Sequence, residues 1–180
     1  MKKQPEITEQ TRKNIISAFC DLYEQKPIEQ ISVKEVITAA GYNRSTFYEY
    51  FDDIYALLAY IENDVINYIK ANYDNSRHDQ NDILQLMTAK ENYLKVLFGP
   101  YGCIHFQDRL KKEFMSNIEI QESESRFQPY LSEFHITVSL SIYRLWLKRN
   151  KDISMGELSK LIHTLYSKGA LGFDDSGYML

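Results

Sequence analysis

Residues that break or crosslink a backbone are scarce in this chain. Its 180 residues include 2 cysteines, 4 prolines, 7 glycines and 1 tryptophan. Two cysteines cannot make a disulfide framework, and Cys20 and Cys103 are expected as reduced thiols. Cys20, beside Phe19, suits a small core position, while Cys103 leaves a redox role open. With so few helix breakers, long segments can hold a 3.6-residue period, and an all-α fold is expected. No apolar run approaches the ~18 residues that would span a bilayer. The start, Met1-Lys-Lys-Gln-Pro-Glu6, leads into no apolar stretch, which predicts no signal peptide, no membrane association and a cytoplasmic protein. Catalytic grammar is missing too. His78, His105, His135 and His163 are scattered, with no metal-like spacing among themselves or with the cysteines. There is no P-loop, no Gly-rich dinucleotide fingerprint and no nucleophile elbow. Asp52-Asp53 and Asp174-Asp175 read as solvated acids. Neither an enzyme nor a cofactor or metal site is expected.

A surplus of positive charge is also lacking. The net charge is −4, and the first 55 residues hold seven Lys and Arg against nine acids, a net −2. Electrostatics therefore predict weak non-specific binding to any polyanion. Position counts for more than the sum, because charges are felt across roughly a 10 Å Debye length. Lys2, Lys3, Arg12, Lys13, Lys34 and Arg44 can share one side of the head, with Asp21, Glu24 and Glu29 elsewhere.

What is present is concentrated between Ser32 and Phe51. Ser32 and Glu35 have the spacing of a capping box, and Val33, Val36, Ile37 and Ala40 then recur on one helical face. Gly41 stops that helix, and Asn43 can cap the next. Phe47 and Phe51, four apart, share a face that can enter a core. Arg44, Ser45, Thr46, Tyr48 and Tyr50 remain for the other faces. Two helices joined by a tight Gly turn make a helix-turn-helix, which can lay its second helix in the DNA major groove. Short hydroxyls and an Arg suit base edges, and tyrosine hydroxyls suit phosphates. The candidate DNA-binding residues are Lys34, Asn43, Arg44, Ser45, Thr46, Tyr48 and Tyr50, with double-stranded DNA as partner. The same capping box and Gly stop also serve any small helical hairpin.

Residues 11–58 resemble the DNA-binding domain of the tetracycline-repressor (TetR/AcrR) family. The likeness runs through an amphipathic first helix ending in Leu22-Tyr23-Glu24, then Ile31-Ser-Val-Lys-Glu-Val36. It continues through Ala39-Ala-Gly-Tyr-Asn-Arg-Ser-Thr-Phe-Tyr-Glu-Tyr-Phe51 to Ala56-Leu-Leu58. The resemblance implies a three-helix helix-turn-helix DNA-binding head, a helical ligand-binding and dimerisation body, and repression relieved by a small molecule. It divides the chain into a DNA-binding domain over 1–52 and a ligand-binding and dimerisation domain over 53–180, with a fourth helix joining them as a lever. Two departures stand out. Members often carry Phe-Lys-x-Lys after the recognition helix, where this chain has Phe51-Asp-Asp-Ile54. Ser45 and Asn43 stand where Gly or Ala and Ser, respectively, are frequent.

Periodicity fills in the rest. A first helix is predicted from an N-cap at Thr8 to about Gln25, with Thr11, Arg12 and Lys13 near its start and placed for a phosphate. A fourth starts near Asp52 or Asp53 and runs to about Tyr73; a polar loop covers 74–82. Helices follow over 83–98, 104–122, 130–149 and 155–168, the last with a Ser154/Glu157 capping box and a Gly169 stop. Leu140, Tyr143, Leu147, Leu158, Ile162 and Leu165 form apolar stripes read as a four-helix homodimer interface, with intramolecular core as the plain alternative. Tyr60, Tyr93, Phe98, Phe106, Phe114, Tyr130 and Phe134 are candidates to line a pocket for a small apolar or aromatic ligand. A ligand-responsive repressor on a palindromic operator is the expectation. The alternative is a TetR-like coactivator acting through a protein partner, with a weakened DNA head.

Overall fold

A computed structural model describes residues 5–72, 86–102, 104–118 and 127–168, apart from the side chains of 5–7, 104, 114–118 and 128. All regular structure among them is helical. The helices are α1 (Pro5–Tyr23), α2 (Val33–Ala40), α3 (Arg44–Tyr48), α4 (Ile54–Asn72), α5 (Glu91–Leu97), α6 (Ile104–Ile118), α7 (Gln128–Lys148) and α8 (Met155–Ser167). A 3-10 turn at Ile28–Gln30 links α1 to α2, and residues 86–89 are also helical. The polar stretch 74–82, Cys103, residues 119–126 and Gly169 lie outside the described residues.

The chain divides into two compact units. The first comprises Met1–Asn67 and Asn92–Cys103, the second Tyr68–Glu91 and Ile104–Leu180. Helix α4 contributes residues to both.

In the first unit α1 packs on α2, and α2 on α3. Ile15, Phe19 and Tyr23 of α1, Val36 of α2, Phe47 of α3 and Leu57 of α4 are almost wholly buried. Burying aliphatic and aromatic side chains stabilises by ~1.5–3 kcal/mol each, so this apolar centre holds the short helices in place. Five residues of α3 could not persist as a helix alone, since isolated helices below ~12 residues are marginal. Tyr23 donates from its hydroxyl to the Tyr101 carbonyl at 2.8 Å, and Lys95 pairs with Glu24 at 3.1 Å. Cys20 is half-buried, and burial pushes its thiol up to about 12, so the thiolate that reacts is scarce.

Helix α1 already includes Pro5, three residues before the expected Thr8 cap. Thr11, Arg12 and Lys13 therefore sit well inside the helix, where the backbone N–H groups already bond within it, and they form no phosphate-binding start. Thr11 is also buried, and Arg12 is occupied by an ion pair with Glu9 and by the Tyr60 ring at 5.6 Å.

In the second unit α6 packs on α7 and α7 on α8. Phe106, Leu110, Ile136, Tyr143, Leu158 and Ile162 form its centre. Lys111 pairs with Glu133 between α6 and α7. The α7–α8 connection is tied by Trp146, whose indole N–H donates to the Ile153 carbonyl at 2.7 Å. It contains two left-handed non-glycine residues, Asn150 (φ 54°) and Lys151 (φ 58°). Ser154 and Glu157 form the expected capping box at the start of α8.

Candidate nucleic-acid interface

The helix-turn-helix is assembled by three local devices. Ser32 caps α2: its hydroxyl accepts from Glu35 N–H at 3.3 Å while Glu35 accepts from Ser32 N–H at 3.0 Å. Lys26 reaches the same carboxylate at 2.6 Å. That ion pair, and after it the Ser32 bonds, hold the Glu35 carboxyl down at about 2. Gly41 then adopts φ 76°, and Tyr42 N–H bonds to the Ile37 carbonyl at 2.9 Å, closing α2 with a Schellman-type turn. Finally Asn43 caps α3, its side-chain oxygen accepting from Thr46 N–H at 2.9 Å.

These devices set the direction of each α3 side chain. Phe47 is fully buried and Phe51 nearly so, the two rings 5.7 Å apart, with Tyr60 closing on Phe51 at 5.6 Å. With that face anchored, Asn43, Arg44, Ser45 and Tyr48 are exposed, and Thr46 and Tyr50 half-buried. Lys34 is exposed one helix earlier. Arg44 folds over Tyr48, donating from Nε at 3.3 Å and Nη2 at 3.0 Å to the tyrosine hydroxyl, with the guanidinium 5.6 Å from the ring centroid. The Nε/Nη2 edge is thereby used, and the Nη1/Nη2 edge keeps the two-pronged geometry that fits guanine O6 and N7. The Tyr48 hydroxyl, accepting from Arg44, keeps its own proton for a phosphate oxygen.

Reading from sequence alone missed one contact of this region. Tyr42 is half-buried beside the recognition helix, and its hydroxyl accepts from Asn14 Nδ2 of α1 at 3.0 Å. No sequence spacing announces that contact, which joins positions 28 apart. Asp53, expected near the start of the fourth helix, is its N-cap, its carboxylate accepting from Ala56 N–H at 2.7 Å. Its neighbour Ile54 is buried. The stretch after α3 thus has two structural occupants, a cap and a core residue, where the family resemblance implies a phosphate-binding lysine; Asp52 stays exposed.

The ligand-pocket candidates fall in both units. In the first, Phe98 is buried and Tyr60 and Tyr93 half-buried; in the second, Phe106 is fully buried. Tyr130 and Phe134 stand on the outside of α7, 75% and 53% exposed. The Phe114 side chain lies outside the described residues. Of the dimer candidates, Leu140, Tyr143, Leu147, Leu158 and Ile162 are buried within one chain, between α7 and its own neighbours, and Leu165 is half-buried. The exposed apolar side chains of this region are others. Phe127, Leu131, Phe134 and Leu145 recur at helical spacing, 56%, 46%, 53% and 54% exposed, with half-buried Val138 and Ile142 between them.

Residues 15–61 match the family of bacterial regulatory proteins of the tetR type. The chain is 40% identical over 100 residues to the HTH-type dhaKLM operon transcriptional activator DhaS of Lactococcus lactis, a match spanning 53% of this chain and 54% of that protein. It thus spans about half the length of this curated relative. A solved structure of a dihydroxyacetone kinase operon activator DhaS superposes with a TM-score of 0.58 at 24% identity, over 87% of this chain and 93% of that one. A TetR-family transcriptional regulator from Syntrophomonas wolfei gives 0.61 at 18% identity, over 93% and 98%. These two likenesses speak for the fold. Among the described residues no helix is long and apolar enough to cross a membrane.

Proposed function

We propose that this chain, whose residues 15–61 match the tetR family of bacterial regulatory proteins, is a DNA-binding transcriptional regulator that binds a palindromic operator as a cytoplasmic homodimer. The carrying observation is that Phe47 is fully buried while Asn43, Arg44, Ser45 and Tyr48 of the same short segment face solvent. Arg44 reads a guanine through its free edge, with Asn43, Ser45 and Thr46 beside it. Tyr48, Tyr50 and Lys34 hold phosphates, taking over from the lysine whose place Ile54 fills.

A helix-turn-helix reads half-sites roughly 34 Å apart, so a palindrome calls for a two-fold particle. We assign the symmetric interface to the exposed stripe formed by Phe127, the N-cap of α7, and Leu131, Phe134 and Leu145 within it, because Leu140, Tyr143, Leu147, Leu158 and Ile162 are already covered inside one subunit. A small apolar or aromatic effector among the aromatic side chains of the second unit, Phe106 first, would act by favouring one spacing of the two heads. Tyr130 and Phe134 go to the dimer face instead.

Selection of bound sequences from random DNA tests this function. A palindrome enriched with half-sites one helical turn apart is the expected result; no enriched sequence would remove the operator-binding reading. Arg44→Ala should weaken operator binding by roughly 1–3 kcal/mol and relax one base position. Unchanged affinity in a gel-shift titration would take base reading away from Arg44.

A second reading, activation through a protein partner, draws on two observations. The curated relative is an operon activator by name, and the position after α3 offers Asp52, a cap and a core residue where a cation is usual. A steep fall of operator affinity with salt favours direct DNA binding, and a stoichiometric partner retained without DNA favours the coactivator.

A further inference from the structure

The Asn43 cap fixes more than a helix end. Its side-chain oxygen is identified as oxygen by the backbone N–H of Thr46, which donates to it at 2.9 Å. The same oxygen lies 2.7 Å from Ser45 Oγ and 2.9 Å from Thr46 Oγ1. An amide oxygen has no proton to give, so in both contacts the hydroxyl must be the donor. Each hydroxyl has a single proton. Ser45 and Thr46 both turn that proton toward Asn43, whose oxygen they share with the Thr46 N–H as three donors on two lone pairs, and what the hydroxyls present outward is lone pairs.

We propose that Ser45 and Thr46 act on DNA as acceptors only, selecting a base whose major-groove edge carries an exocyclic amino group, adenine or cytosine, and that Asn43 is the positioning residue that sets this polarity. In the major groove adenine offers N6–H₂ and cytosine N4–H₂, whereas guanine O6 and thymine O4 are acceptors that would face lone pairs. A free serine or threonine hydroxyl accepts from or donates to either class, so the cap converts an indifferent contact into a selective one. This complements Arg44, whose remaining edge donates and suits guanine. The head would then read adjacent positions with opposite polarity: a donor fork for guanine and an acceptor pair for an amino base.

This rests on the reading of α3 as the operator-reading helix, and the test separates the two. On the selected operator, each adenine facing α3 is replaced by purine and each cytosine by pyrimidin-2-one, which deletes only the amino group. The wild-type protein should lose about two- to tenfold in affinity at one such position per half-site, the worth of one hydrogen bond. In Ser45→Ala and Thr46→Val proteins the same DNA change should cost nothing further at that position, which cancels any effect on base pairing itself. Asn43→Asp keeps the acceptor and should keep the preference; Asn43→Ala frees the hydroxyls and should let guanine or thymine in. An enriched operator with an amino-deletion penalty identical in wild type and both hydroxyl variants overturns the proposal while leaving DNA binding intact. No enriched operator overturns both.

Discussion

Gly41 carries the turn on backbone conformation alone. Its φ of 76° is left-handed, and a Cβ placed there would meet nothing within 4 Å. Gly41→Ala should therefore cost about 1–2 kcal/mol through strain rather than collision. Thermal or urea unfolding reads that loss, and no loss would mean that the turn is held by something other than Gly41. Ser32, Glu35, Gly41 and Asn43 were all legible in the sequence, because caps and stops are chemistry between near neighbours. Arg12 was misread for the opposite reason. An arginine near a helix start looks free until Glu9 and the Tyr60 ring, 48 positions further on, close around it.

At the scale of elements, α7 and α8 contain a pH-sensitive contact. His135 of α7 is half-buried with Nε2 unbonded, its ring 4.3 Å from that of Tyr166 on α8. Burial first, and His163 of α8 second, hold it below its ordinary 6.5. An unfolding chain takes up a proton near 6.5 that the folded chain resists, so stability falls as pH drops from 6.5 toward the lower folded value. Glu35 works in a separate window. Its carboxyl, held at about 2 against an ordinary 4.5, adds stability above 4.5 that is lost as pH falls toward 2. Melting temperatures at pH 8 and pH 5.5 should thus differ because of His135 and not Glu35. His135→Phe should shrink that difference, and an unchanged difference would exonerate the imidazole. The helices themselves were readable: α7 and α8 fall within two residues of their expected bounds, because their 3.6-residue apolar period is long. The interruption at Lys90, between the helical residues 86–89 and α5, has no proline or glycine to announce it.

On the scale of the whole molecule, the question is which apolar face meets which partner. Periodicity marks α7 as apolar, but it cannot say which of two apolar faces turns inward. The candidates Tyr143, Leu158 and Ile162 were drawn from the face that the subunit itself covers. The opposite stripe of α7 was visible only once burial separated the two. Three or more large side chains about half-exposed along one helix is costly in water, at ~25 cal/mol for each apolar Å². A second copy of the same helix, crossing it about a two-fold axis, would cover them without any other surface having to match. Leu131→Glu together with Leu145→Glu places carboxylates on that stripe. Neither residue is needed for the subunit's own centre, so helicity by circular dichroism should be retained. Sedimentation at micromolar concentration should then shift from dimer to monomer, and operator affinity should fall more than tenfold, about 1.4 kcal/mol, because each monomer engages one half-site alone. A variant that remains dimeric with unchanged operator affinity would place the two-fold contact elsewhere on the body.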